Sequence, residues 1–274
     1  MEWIKFHHPD ISLPVLRRRA GIEILELLEM TTLFLTRGSW ALMNRHIYPN
    51  RSAFRNAAKR LKDKGLVVVE STGGRTPKLF LSASGREQIP AYFTPDKYWD
   101  RRWNDIWYML VYDVPETDRK YRDGLRSFLK RMRMGCLQKS VWVTPADIRP
   151  DFDDLSRTAN IDGFAYLLEA RTVLGLPSER IVSEAWNFER LQILQEHFCE
   201  VCERNIEKLN ASAPSAEELG DLIRSSLEAY HGAFMEDPLL PSELLPSEYV
   251  GKQAFALHQS MMSKIGEAGL SVTI

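Results

Sequence analysis

The hydrophobic period changes abruptly between residues 51 and 81, and that change limits what the first third of the chain can fold into. Phe54, Ala57, Ala58 and Leu61 recur at helical spacing and define an apolar face. Ser52, Arg55, Asn56 and Lys59 fall on the opposite face, with Arg51 and Arg60 at its margins. Asn50 follows Pro49 and is a good N-cap, and Gly65 stands where a helix over 51–63 would end. Two β-rich runs come next, Leu66–Glu70 and Lys78–Leu81. Ser71–Pro77 joins them, and Gly73 and Gly74 within it tolerate positive φ. Upstream, Ile22, Leu25 and Leu28 pattern one amphipathic helix, and Ser39 caps a short second one through Trp40, Leu42 and Met43.

Three helices followed by a hairpin with a basic tip is the order of a winged helix. Charge agrees with a DNA-facing role for that segment. The formal net charge is −1, yet residues 1–90 hold 15 Lys and Arg against 8 Asp and Glu, a net of +7. The remainder is therefore at −8, and a basic third beside an acidic remainder suits one region that meets a polyanion. Guanidinium and amide groups on one exposed helix face suit major-groove reading and phosphate anchoring. Arg75 at the wing tip, assisted by Lys78, suits the minor groove or the phosphates. The expected contacts to double-stranded DNA are Arg51, Ser52, Arg55, Asn56, Lys59, Arg60, Arg75 and Lys78.

A chain of 274 residues suits two or three compact domains. No apolar run approaches the length of a membrane span, and the first 14 residues have no secretory pattern. Three cysteines form no disulfide framework, so a reducing cytoplasm is the expected location.

The middle of the chain alternates strands with helices. Aromatics crowd its start, from Tyr92 and Phe93 to Trp103, Trp107 and Tyr108, and read as packing between domains. Ile106–Val114 is an apolar strand candidate. A helix over 117–133 buries Tyr121, Leu125, Phe128, Leu129 and Met132. Arg122, Arg126, Lys130 and Arg133 form a basic stripe on it, either a solvated face or a cradle for an anionic ligand or further DNA. A strand over 137–144, a helix around 150–158 and a strand over 164–171 complete an order compatible with a ferredoxin-like α+β domain.

The last third reads as helical. Leu191, Leu194 and Phe198 share one face of a long helix, and Ser215 with Glu218 makes a capping-box pattern. Asp237–Pro246 is a proline-rich turn, and a final helix around 249–266 carries Phe255, Leu257, Met261 and Met262. His197, Cys199 and Cys202 invite a zinc reading, but no second pair supplies the remaining ligands. No nucleophile–base constellation or phosphate-cradling glycine loop occurs, so no catalytic residue, metal or cofactor is expected and the chain is not read as an enzyme.

Over essentially its whole length the chain resembles the PaaX-type transcriptional repressor family. The resemblance rests on the helix and wing passage, on Val111-Tyr112-Asp113-Val114-Pro115-Glu116, and on Gly135-Cys136-Leu137-Gln138. Ser140–Pro145, Glu184-Ala185-Trp186-Asn187 and Asp237-Pro238-Leu239-Leu240-Pro241 continue it. It implies a winged helix (1–92), a ferredoxin-like dimerisation and regulatory domain (93–180) and an all-helical C-terminal domain (181–274). It also implies a homodimeric repressor released by a small ligand such as an aryl-coenzyme A thioester. Phe54-Arg55 departs from the familiar family form of the recognition helix, which puts the operator sequence in doubt. The middle domain is similar to the CRISPR-associated ferredoxin-fold nuclease of spacer acquisition, in which an aspartate ends the first strand as Asp113 does here. A metal-dependent nuclease or accessory using Asp113 is therefore the alternative function, although a lone carboxylate is a poor Mg²⁺ site.

Overall fold

An uninterrupted apolar run suits a strand covered on both faces rather than on one. Trp107-Tyr-Met-Leu-Val-Tyr is such a run, and it forms a central strand. The computed structural model describes residues 1–6, 59–70, 78–87, 94–114, 119–153, 164–171 and 177–272. These divide into two compact units, each discontinuous in sequence. Unit 1 takes Met1–Phe93, Ile193–Met235 and Val250–Ile274; unit 2 takes Thr94–Gln192 and Glu236–Tyr249.

Unit 1 begins, after the first six residues, with helical residues 59–63. They stop in a Schellman arrangement: Gly65 N–H donates to the Lys62 carbonyl at 2.8 Å and Leu66 N–H to the Leu61 carbonyl at 2.9 Å. Gly65 takes φ +71°, the left-handed conformation that this ending requires and that its position in the sequence predicts. Strands β1 (Val67–Glu70) and β2 (Lys78–Leu81) then pair antiparallel, with Val67 opposite Leu81 and Glu70 opposite Lys78. Val67 and Leu81 are buried, while Val68 and Phe80 face outward, so the hairpin has one core face. Ser82 caps the short helix α1 (Ala83–Glu87) by accepting the Gly85 N–H at 2.9 Å.

In unit 2, α2 (Asp96–Trp99) leads to β3 (Trp107–Tyr112), α3 (Arg119–Arg131), β4 (Gly135–Gln138), β5 (Val141–Thr144) and β6 (Ala165–Ala170). The sheet order is β4-β5-β3-β6 and every pairing is antiparallel. One face carries Tyr108, Leu110, Tyr112, Trp142 and Ala165 against Leu125 and Leu129 of α3. The other carries Trp107 and Val143 against Ile181 and Val182 of α4 (Ser178–Ala185), together with Leu240 and Leu244. The single strand expected over 137–144 is instead a hairpin turning at Lys139-Ser140. The polar pair interrupts the apolar run, and Tyr112 holds the turn by donating its N–H to the Ser140 carbonyl and its hydroxyl to the Lys139 carbonyl.

Gly135 marks where β4 touches α4. A Cβ at this position would lie 2.6 Å from the Ala185 Cβ and 2.6 Å from the Trp186 ring. Gly135→Val is therefore expected to lower stability by about 1–3 kcal/mol through overpacking, read as a lower urea midpoint. An unchanged midpoint would show that the strand does not approach the helix this closely.

Three long helices complete the chain: α5 (Phe188–Ala211), α6 (Ala216–Phe234) and α7 (Gly251–Val272). The expected capping box opens α6, with Glu218 N–H on Ser215 Oγ at 3.3 Å and Ser215 N–H on the Glu218 carboxylate at 2.7 Å. Leu191, Leu194 and Phe198 of α5 are buried, as their spacing predicts, and so are Leu219 and Leu222 of α6. On α7, Met261 and Met262 are buried, whereas Phe255 and Leu257 are half-buried. No described helix is long and apolar enough to cross a membrane.

Candidate nucleic-acid interface

The described part of the basic helix is its last turn. Lys59 and Arg60 are exposed there, and so are Lys62 and Lys64, while Leu61 between them is buried. The alternation follows from the helix: Leu61 points to the core, and the long cations on either side reach water. Cations at this end also meet the partial negative charge of unsatisfied helix carbonyls. Lys62 and Lys64 are not among the expected contacts. Their signal was present in the run Lys-Arg-Leu-Lys-Asp-Lys. Lys78 sits in β2 opposite Glu70. Arg51, Ser52, Arg55, Asn56 and Arg75 lie outside the described residues.

The basic stripe of the middle region divides in two. Arg122 and Arg126 are half-buried on α3 and Lys130 is exposed. Arg126 Nε donates to the Tyr112 hydroxyl at 3.1 Å, and its Nη2 donates to the Lys139 carbonyl at 3.2 Å. Arg126 therefore braces the β4–β5 turn. Partial burial raises the pKa of the Cys136 thiol, and the charges of Arg126 and Lys130 offset part of that rise.

Arg133 leaves the stripe. Helix α3 ends at Arg131, and Arg133 adopts φ +60°. Its Nη1 donates to the Asp237 carbonyl, and its own carbonyl accepts the Trp186 indole N–H at 3.1 Å. Asp237 is fully buried, and its carboxylate accepts the Leu239 N–H at 2.8 Å and the Tyr249 hydroxyl at 2.5 Å. Leu239 takes φ +50°, and its carbonyl accepts Arg101 Nη2 at 3.1 Å. The Asp237–Pro241 turn is thus pinned by two arginines and one buried carboxylate. The proline-rich pattern of Asp237–Pro246 predicts the turn, whereas the arginines that hold it lie more than a hundred positions away.

Asp113 is exposed just past β3, its backbone N–H donating to the Phe164 carbonyl at 2.8 Å. Among the described residues no three His, Cys, Asp or Glu side chains gather as a metal site. Cys199 and Cys202 are buried in α5 with both thiols held protonated, Cys199 at a pKa of about 11, chiefly by burial.

Residues 100–182 match the model of the PaaX protein central Cas2-like domain, and residues 186–272 match that of the PaaX-like protein C-terminal domain. The chain belongs to the PaaX-type family. This PaaX-type chain is 23% identical to the transcriptional repressor PaaX of Escherichia coli K12, across 79% of its own length and 70% of that protein. Among solved structures it is similar to the uncharacterized protein Rv0674 of Mycobacterium tuberculosis, with a TM-score of 0.51 and 18% identity. That likeness covers 91% of this chain and 90% of the other and concerns the fold.

Proposed function

We propose that the chain is a DNA-binding transcriptional regulator acting as a repressor. The observation that carries this reading is the exposed cluster of Lys59, Arg60, Lys62 and Lys64 at the end of a helix that turns directly into the β1–β2 hairpin. Four cations on one helix end suit a phosphate backbone, and membership of the family of a transcriptional repressor supports the same assignment. In this reading residues 1–92 form a winged helix, 93–180 a ferredoxin-like domain and 181–274 the helical domain. Arg51, Ser52, Arg55, Asn56, Lys59 and Arg60 face the major groove, and Arg75 with Lys78 works from the wing. Two copies read a palindrome with half-sites about 34–36 Å apart. An acyl-coenzyme A thioester is the proposed effector, with Arg122, Arg126, Lys130 and Arg133 as the cations that meet its phosphates, Arg126 also bracing the β4–β5 turn and Arg133 the Asp237 turn. The protein works in the cytoplasm.

The test is fluorescence anisotropy across a salt series, on a duplex enriched by the wild-type chain from a random-sequence library. Each phosphate contact removed should flatten the slope of log affinity against log salt by about 0.9. Lys59→Ala and Arg60→Ala should each show that change, with affinity reduced several-fold. Affinity and slope identical to wild type in both variants would remove the helix from the interface.

A further inference from the structure

An asparagine buried among helices is costly unless both ends of its carboxamide find partners. Asn205 of α5 is 2% exposed, and its hydrogen bonds go to one residue near the start of the chain. Oδ1 accepts the Ile4 N–H at 2.9 Å, and Nδ2 donates to the Ile4 carbonyl at 3.0 Å. One side chain thus supplies the pair of hydrogen bonds that a neighbouring strand would supply. Trp3 is buried, and its indole N–H donates to the Glu218 carbonyl in the first turn of α6 at 2.7 Å. The Lys208 ammonium donates to the Glu2 carbonyl. Phe6 stacks on His197 with ring centroids 5.0 Å apart and meets Phe198 edge-on at 6.5 Å.

These contacts divide as they do where a protein binds an extended peptide. Asn205 and Lys208 hold main-chain groups, whereas the Trp3 contact and the rings of His197 and Phe198 read side chains. Residues 1–6 have no regular structure of their own, so the helices supply what orders them. Packing alone would be served by an apolar residue at position 205. A carboxamide there instead selects a backbone with a free N–H and C=O, because a cover lacking them leaves Oδ1 and Nδ2 without partners. The side-chain requirements are as definite. Trp3 is a large ring that must also donate one hydrogen bond, and Ile4 after it is half-buried. Lys5 is exposed, and Phe6 completes the pattern with a stacked ring.

We propose that α5 and α6 carry a docking site for an extended segment of the pattern Trp-aliphatic-x-aromatic presented by another protein, and that residues 2–6 fill it as a built-in competitor. A partner must displace the chain's own segment, and a ligand joined to its receptor competes at a high effective concentration. The site lies wholly within unit 1, and the inference does not depend on DNA binding.

The experiment follows the fluorescence anisotropy of a peptide of residues 1–6, labelled at its C-terminal end, with full-length wild type and full-length Trp3→Ala. Trp3→Ala weakens the chain's own segment and leaves every helix residue of the site in place. It should bind the peptide saturably, about tenfold more tightly than wild type does. The same peptide N-methylated at Ile4 cannot donate to Asn205 Oδ1 and should bind Trp3→Ala about tenfold more weakly. A peptide with Ile4→Leu, Lys5→Glu and Phe6→Tyr keeps the pattern and should stay within about threefold of the parent. Equal affinity of the two chains, or no saturable binding to Trp3→Ala, overturns the proposal. Indifference to N-methylation overturns it, because the main chain is then not what the site holds, and so does failure of the patterned peptide to bind. Sedimentation velocity is run on both chains in parallel. A slower-sedimenting Trp3→Ala would make a second copy of the chain the occupant and overturn the assignment to another protein.

Discussion

Acidification from pH 6.5 towards pH 3 is expected to weaken the helical part of unit 1 by about 1.4 kcal/mol per pH unit, through one histidine. His258 of α7 is 4% exposed and stacks on Tyr230 of α6, with ring centroids 3.9 Å apart and planes 16° apart. Neither ring nitrogen has a hydrogen-bond partner among the described residues, and burial lowers its pKa from 6.5 to about 3. The folded chain therefore holds the imidazole neutral where the unfolded chain protonates it. The unfolded state binds the extra proton throughout that window, so stability is full above pH 6.5 and declines as pH falls. Below the folded pKa both states carry the proton and this contribution stops changing. His258→Phe keeps a ring against Tyr230 and removes both unpartnered nitrogens. Urea unfolding of the two proteins at pH 7.5, 6.0, 5.0 and 4.5 should give free-energy curves that diverge towards acid, the variant being the more stable throughout. Carboxylates add their own acid sensitivity to both proteins, so the difference between the curves is the quantity to read. Parallel curves would mean that His258 is hydrated or paired.

The second large effect is expected at Asp237. Its carboxylate accepts the Leu239 N–H and the Tyr249 hydroxyl, with no side-chain exposure to water. Asp237→Ala removes the acceptor and leaves one buried donor and one half-buried donor without it, each costing about 1–3 kcal/mol. Release of Leu239 from a left-handed conformation that costs an L-residue about 1–2 kcal/mol offsets part of that cost. The expected net loss is about 1–4 kcal/mol, a fall in Tm of several degrees for a chain of this size. Asp237→Asn retains one carbonyl acceptor and should lose about half as much. Equal losses in the two variants would assign the effect to shape rather than to hydrogen bonding.

What the sequence made legible is what local chemistry decides. The continuous apolar run of β3, the left-handed glycine at 65, the Ser215–Glu218 box and the inward face of α5 each follow from residues within a turn or two of one another. The Lys139-Ser140 turn was hidden because both flanking runs are apolar enough to read as one strand. Arg133 was placed on a helical stripe by arithmetic that assumes the helix continues, and α3 ends two residues earlier. The arginines that hold the Asp237 turn and the grip of Asn205 on Ile4 join positions more than a hundred residues apart, so no spacing rule finds them. Lys59 and Arg60 are exposed, and so are Lys62 and Lys64 beside them.

The discontinuity of the two units carries a consequence for biosynthesis. Leu240 and Leu244 pack with Trp107 and Val143, although more than ninety positions of chain separate them from β5. A ribosome that has finished β6 has therefore made every strand of the sheet while one of its faces still lacks these two leucines. Apolar surface stays uncovered until Tyr249 emerges, an interval in which a nascent chain is open to chaperones and to misassociation. Ending the gene after Gln192 would reproduce that unfinished surface permanently, and neither unit is one uninterrupted stretch of the chain.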